Sequence, residues 1–249
     1  MPDKRTHRGP NPKDQYLFAP TKIPILAKAV EDFTMLLNKD YADKSALKLV
    51  GDHYNLTQRQ RLAVMRVSCS ARQHLSRLGR ECPVSSLHGQ SLVIDGYNLL
   101  ITIESALSKG LIFECSGGFY KDIASVHGTY RKVNETIAAL ETIGRFLQPL
   151  KIADVLWLLD SPVSNSAKLK TLILDIASQN DWPWRVELLQ SPDKEMFNTN
   201  AIVATTDSVI LDRCQRWVNL AAEIIKTDIP EAKVINLFQK TPSPEANPQ

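Results

Sequence analysis

The 249-residue sequence lacks several features that would have settled its class at once. No apolar run approaches the ~20 residues that a membrane span requires. The opening "MPDKRTHRGPNPKDQ" is polar and proline-containing, without the apolar core of a signal peptide, so a cytoplasmic location is expected. There is no Cys-x-x-Cys pair. Cys69, Cys82, Cys115 and Cys214 lie far apart, as reduced structural thiols do, and neither a zinc site nor a disulfide framework is indicated. No Gly-x-x-x-x-Gly-Lys-Ser/Thr or Gly-x-Gly-x-x-Gly occurs, so P-loop and dinucleotide-binding readings fall away. No repeat period is visible.

Charge of one sign is missing locally. From His53 to Arg80 there is no acid, while Arg59, Arg61, Arg66, Arg72, Arg77 and Arg80 all fall there. Residues 1–90 hold 15 Lys+Arg against 8 Asp+Glu, leaving 15 against 19 in the remainder of the 30 and 27 in the whole chain. A basic front suits a polyanion, and an acidic rear suits divalent cations. The arginines do not form a single stripe, so a solvated helix surface competes with phosphate contacts. No aromatic interrupts the run after Tyr54, which argues against base stacking as its main contact.

Seven of the 14 prolines fall in the first 20 and last eight residues, and flexible tails are expected over 1–20, which is basic, and 241–249. Between them, residues 21–88 read as a helical basic module. Leu26, Val30, Phe33, Leu36 and Leu37 share a face over residues 24–38, and Thr57 with Gln60 forms a capping box opening a helix that extends to about Leu78. Residues 83–90 read as a linker. Residues 89–240 alternate between strand and helix, with apolar β-rich runs at 91–95, 154–160, 184–189, 201–205 and 232–237. Amphipathic helical segments occupy 134–150, 166–180 and 212–227. The expected fold class is α/β: a three-layer domain with about five parallel strands, preceded by an α-helical module.

In an open α/β sheet ligands gather beyond the carboxyl ends of the strands. Acids recur there. Asp95 ends the first strand, Asp160 the second, Asp193 follows the third and Asp207 the fourth. One such acid alone is most simply a helix cap or turn former. Several converging carboxylates repel one another unless a cation sits among them, and oxygen-only ligands suit Mg²⁺ or Mn²⁺.

The motifs "VIDGYN", the later strand ending in Asp160, and "ATTDS" together resemble the PIN-like nucleases, in particular their NYN branch, over about residues 91–240. The stretches "IDGYNLLITIESAL" and "ALKLVGDHYNLTQRQRLAVMRVSC" also resemble, over nearly the whole chain, a prokaryotic family known as domain of unknown function 434, which brings no activity with it. The nuclease resemblance implies a metal-dependent ribonuclease on a five-stranded parallel sheet. It implies Asp95, Asp160, Asp193 and Asp207 as metal ligands, with Glu195 as an alternative to Asp193, and Asn98 as a catalytic partner. Thr205 or Thr206 would support the ligands by hydrogen bonds. RNA is the implied partner. A homodimer is compatible with the sequence, which does not fix the oligomeric state.

Arg59, Arg66, Lys121 and Arg131 are the candidate substrate contacts. Lys168, Lys170 and Lys194 are weaker ones. Residues 117–132 read either as a substrate-contacting loop, with Asp122 and His127 among its polar groups, or as a hairpin packed for stability. Glu104 has no settled role. Asp212, five residues past Asp207, points away from the same ion if the segment is helical. Two rivals remain: a non-catalytic RNA-binding or regulatory protein on the same fold, and a phosphatase or nucleotide hydrolase. The second is weakened by Tyr97, which stands where an Asp-x-Asp phosphatase motif needs its second acid.

Overall fold

A computed structural model of the protein describes residues 7–124 and 130–238. The expected tail over 241–249, and His127, lie outside the described residues. Strands β1 (Glu81–Cys82), β2 (Ser91–Asp95), β5 (Asp154–Asp160), β6 (Trp184–Leu189), β7 (Ile202–Ala204) and β8 (Trp217–Val218) form one sheet in the order β1-β8-β7-β2-β5-β6. Every neighbouring pair in it is parallel. A second, three-stranded sheet has the order β4-β3-β9, from β3 (Leu111–Glu114), β4 (Tyr120–Asp122) and β9 (Lys233–Asn236).

Period-two alternation assigns each strand residue to a face. Leu92, Ile94, Val155, Trp157, Leu159, Ile202, Ala204 and Val218 join one core, together with α6 (Gly96–Leu107), α7 (Thr136–Leu147), α8 (Ser166–Gln179) and α11 (Leu220–Asp228). Val93, Leu158, Val203 and Trp217 face the other core, built by α2 (Ile23–Asn38), α3 (Asp43–His53) and α4 (Gln58–Val67). The chain is therefore a three-layer α/β structure, and its helical N-terminal region is the cover of the sheet's second face.

The spacing over residues 24–38 does produce a helix, which buries Leu26, Val30 and Phe33. The capping box of Thr57 and Gln60 is present as well. The helix it opens stops at Val67, however, and α5 (Ala71–Leu78) starts anew from a second capping box, Ser70 with Gln73. That Ser-x-x-Gln signal stands in the sequence, and it breaks the single long helix expected to Leu78.

Two further expectations change. The run at 232–237 does not add to the main sheet: its Lys233–Asn236 pairs with β3 instead. The main sheet is extended by β8, inside the segment expected to be helical from 212, and by β1 at its edge. Two-residue strands are too short to carry a period.

Residues 7–20 are not a loose tail. Asp14–Leu17 is a short helix, α1, and Leu17 and Phe18 are buried in the second core. Asp14 takes Arg59 on both carboxylate oxygens at 2.5 and 2.8 Å. Arg8 is buried against Glu104 at 2.9 Å.

Candidate functional site

Register brings the acids to one edge and one face. Asp95 is paired with Leu158, so it shares the face that carries Val93 and Leu158, the one covered by the N-terminal helices. Asp160 lies two residues beyond Leu158 and returns to the same face, roughly 6.6 Å further along the strand direction. Thr205 follows Ala204, whose partner is Ile94, and so turns to that face too.

The side chains confirm this placement. Thr205 Oγ1 donates to Asp95 Oδ2 at 2.7 Å, and Asn98 Nδ2 donates to the same oxygen at 2.7 Å. Thr205 Oγ1 also accepts from the Asp207 backbone N–H at 3.0 Å, which ties the ends of β2 and β7 together. Asp207 caps α10 (Ser208–Leu211): its Oδ1 accepts from Val209 at 2.7 Å and from Ile210 at 3.3 Å. The helix-cap reading of Asp207 is thus correct for one oxygen, while the other takes no hydrogen bond among the described residues.

Gly96 is what allows β2 to end so close to β5. A Cβ there would lie 2.5 Å from Leu159 Cδ2 and 2.8 Å from the Leu158 carbonyl oxygen. We expect Gly96→Ala to cost about 1–3 kcal/mol through overpacking, read as a lower urea midpoint at unchanged slope.

Electrostatics links the four aspartates. Burial pushes the Asp95 carboxyl up to about 7; its hydrogen bonds from Thr205 and Asn98 oppose this, and the charges of Asp207 and Asp160 add to it. Asp160 is raised by burial and by Asp193, and Asp193 by burial and by Asp207. None of the four is ion-paired to Lys or Arg among the described residues. The Tyr97 hydroxyl is buried without a hydrogen-bond partner among the described residues, and Asp160 helps burial raise it to about 12.

As a donor set, carboxylate oxygens that repel one another and lack a counter-charge fit a hard divalent cation. They form an open cluster: among the described residues, no three His, Cys, Asp or Glu side chains are gathered tightly enough to hold one ion. The two-residue offset of Asp160 along β5 accounts for part of that separation.

The remaining expected residues divide. Asp193, at the start of α9 (Pro192–Asn198), feels Asp160 and Asp207, whereas Glu195 lines a groove with Ser91 and Asp154 at the opposite end of the strands. Arg66 and Lys121 line a cavity of about 340 Å³ together with Asn98, Thr206, Asp207 and Ser208. Arg59 is held by Asp14 and lines a different cavity, near His7 and Gly110, and Arg131 is exposed, its carbonyl accepting from Arg8. Neither lines the cavity beside the aspartates. Lys168 and Lys194 are exposed.

Glu104 belongs to the opposite core, where Tyr130 donates to it at 2.6 Å and Thr136 at 2.5 Å. Asp212 takes Arg77 at 2.6 Å and Gln73 at 2.9 Å, away from the cluster. Residues 117–122 are the turn and second strand of a hairpin that begins at Leu111, not an open loop. Gly117 and Gly118 turn it at φ 99° and 77°, a region glycine enters without strain. Arg77 and Ser208, which the sequence did not single out, also line the cavity. Arg77's only signal was its place in the acid-free run.

A parallel α/β sheet with an acidic carboxyl edge under a helical cover defines the class. Residues 84–223, more than half of the chain, match the family described as "Domain of unknown function (DUF5616)", and residues 25–80 match "Protein of unknown function (DUF434)". The chain belongs to the DUF5616 family, with the DUF434 segment ahead of it; the DUF434 match covers 25–80 rather than nearly the whole chain, and "IDGYNLLITIESAL" falls in the DUF5616 part. It is similar to the uncharacterized protein MJ0935 of Methanocaldococcus jannaschii, 31% identical over 204 residues that cover 81% of this chain and 97% of that one. No solved structure gives a significant match. Among the described residues, no helix is long and apolar enough to cross a membrane.

Proposed function

We propose that the protein is a divalent-metal-dependent phosphodiester hydrolase of PIN-like, NYN-type character, acting on RNA. One observation carries the reading: Asp95, Asp160, Asp193 and Asp207 lie at the carboxyl edge of the sheet, neighbouring carboxylates add to burial in raising Asp95, Asp160 and Asp193, and none of the four has a basic partner among the described residues. They sit where β2 leads off to β5 on one side and is flanked by β7 on the other, the switch point at which open α/β sheets bind ligands. Asp95, Asp160 and Asp207 would hold Mg²⁺ or Mn²⁺, with Asp193 completing the set. When bound, such an ion supplies water activation and charge neutralisation at phosphate.

The chain's own groups do the positioning. Asn98 and Thr205 fix the Asp95 carboxylate through one oxygen and leave the other for a ligand. Thr205 also holds the backbone of Asp207, so one hydroxyl bridges the two acids. The cations of the neighbouring cavity supply positive charge for a polyanion.

The test is cleavage of a mixed RNA pool with Mg²⁺ or Mn²⁺, with and without chelator, beside titration of Mn²⁺ into the protein. Chelator-sensitive cleavage and Mn²⁺ binding, both lost in Asp160→Asn, are the expected results. Equal cleavage by that variant would mark a contaminant. Binding of RNA without cleavage, weakening steeply with salt, would favour a non-catalytic RNA-binding protein, the reading to which the open spacing of the carboxylates lends its weight.

A further inference from the structure

The cavity beside the aspartates has a charge pattern of its own. Lys121 projects from β4 with its ammonium 2.7 Å from Ser208 Oγ and 5.4 Å from the centre of the Phe119 ring. An ammonium has three donors, and Ser208 Oγ is its hydrogen-bond acceptor among the described residues. It has no carboxylate within ion-pair distance among them, although it is about nine-tenths buried.

Arg66 and Arg77 line the same space, each anchored at one edge: Arg66 to Asp122, and Arg77 to Asp212 at 2.6 Å. Burial pushes the Lys121 ammonium below the usual lysine range. Asp207 opposes that, and both arginines add to it, so the three cations stand close enough to repel one another. Of the acids around the cavity, Asp122 is occupied by Arg66, Thr102 and the Ala124 N–H, Asp43 is exposed, and Asp207 belongs to the metal edge. A desolvated lysine with spare donors, two further cations and about 340 Å³ of space call for an anion.

We propose that this cavity is a phosphate subsite, in which Lys121 is the principal ligand and Arg66 and Arg77 are flanking charges. It seats one phosphate of the nucleotide chain while the aspartate edge receives its neighbour, since Asn98, Thr206 and Asp207 form the wall between the two. The carrier of that phosphate rests on the phosphodiesterase reading; the anion site itself does not. Lys121 is a substrate-binding residue, and the hairpin of residues 111–122 is the element that delivers it.

The experiment is calorimetric titration of the metal-free full chain, in chelator, with inorganic phosphate, and then with a short oligoribonucleotide bearing a 5′-phosphate or a 5′-hydroxyl. Phosphate is expected to bind, and Lys121→Met to weaken it roughly ten-fold or more, the worth of a charge-assisted hydrogen bond. Lys121→Arg should recover part of the loss. Phosphate should also raise the melting temperature of the wild-type chain and not that of Lys121→Met, a readout that first requires the variant to melt cooperatively.

A preference for the 5′-phosphate marks a chain end as the source. Equal binding of both oligomers, each weakened by Lys121→Met, marks an internal phosphate. No phosphate binding by the wild-type chain, or undiminished binding by Lys121→Met, would overturn the subsite even if metal-dependent cleavage persists. Phosphate binding without any cleavage would instead overturn the phosphodiesterase reading and leave the subsite standing.

Discussion

On the proposed phosphodiesterase reading, replacing Asp95 by asparagine is expected to lower metal-dependent cleavage roughly a thousand-fold, and in the metal-free protein to raise stability above neutral pH, with several kcal/mol involved in each effect. The loss follows from removing the most buried carboxylate of the cluster, the one held by both Asn98 and Thr205. The gain follows from linkage. The folded protein holds the Asp95 proton up to about pH 7, against an ordinary carboxyl value of 3.8.

Because the folded state binds the proton more tightly than the unfolded chain, this contribution to stability is fully present below pH 4. It is lost as pH rises through about 7. The full swing is about 4 kcal/mol. Chemical denaturation of the metal-free protein between pH 4 and 8 should show it as a falling slope. Asp95→Asn should flatten that slope, since an asparagine carbonyl can still accept from Asn98 and Thr205. A slope unchanged in the variant would mean that Asp95 is not the group responsible.

Arg8→Met is expected to destabilise the chain by about 3–5 kcal/mol, the cost of leaving one member of a buried ion pair without its partner. Arg8 donates from Nε to Glu104 at 2.9 Å and from its Nη2 to the Arg131 carbonyl at 3.1 Å, and its guanidinium lies 5.4 Å from the centre of the Tyr130 ring. Glu104 is fully buried, and burial raises its carboxyl although Arg8 and the hydroxyls of Thr136 and Tyr130 pull it down. Without Arg8 the carboxyl must either protonate or remain an uncompensated charge. Adding Glu104→Gln to Arg8→Met should restore part of the loss, and urea unfolding of both single variants and the double variant measures the coupling. Whatever cleavage the wild-type chain shows should persist in folded Arg8→Met, because Glu104 lies in the core on the other side of the sheet from the aspartates.

What the sequence made legible tracks the length and continuity of each signal. β2, β5 and β6 were read at their observed bounds because runs of five to seven mostly apolar residues carry a strand pattern. Their terminal acids could then be placed at one edge by topology alone. The choice between Asp193 and Glu195 could not: two residues apart on a short helix, they point to opposite ends of the strands. Arg8 and Glu104 are 96 residues apart, and no local pattern announces their pairing. Nor did composition reveal that Arg59 and Arg66, about two helical turns apart in a single basic run, serve different places, one tied to Asp14 and the other in the cavity wall.

The short strand β1 has a consequence for how the chain can be divided. Glu81 and Cys82 fall between the two matched segments, 25–80 and 84–223, yet they pair with Trp217 and Val218 and cover the edge of β8. The Arg80 carbonyl accepts from the Trp217 N–H at 3.1 Å just before them. The seam between the segments is therefore woven into the sheet. Expressed alone, residues 84–223 would present a bare β8 edge and an uncovered apolar face of Val93, Leu158 and Val203, a template for self-association. The two segments are halves of one folding unit, and a useful expression boundary lies outside both.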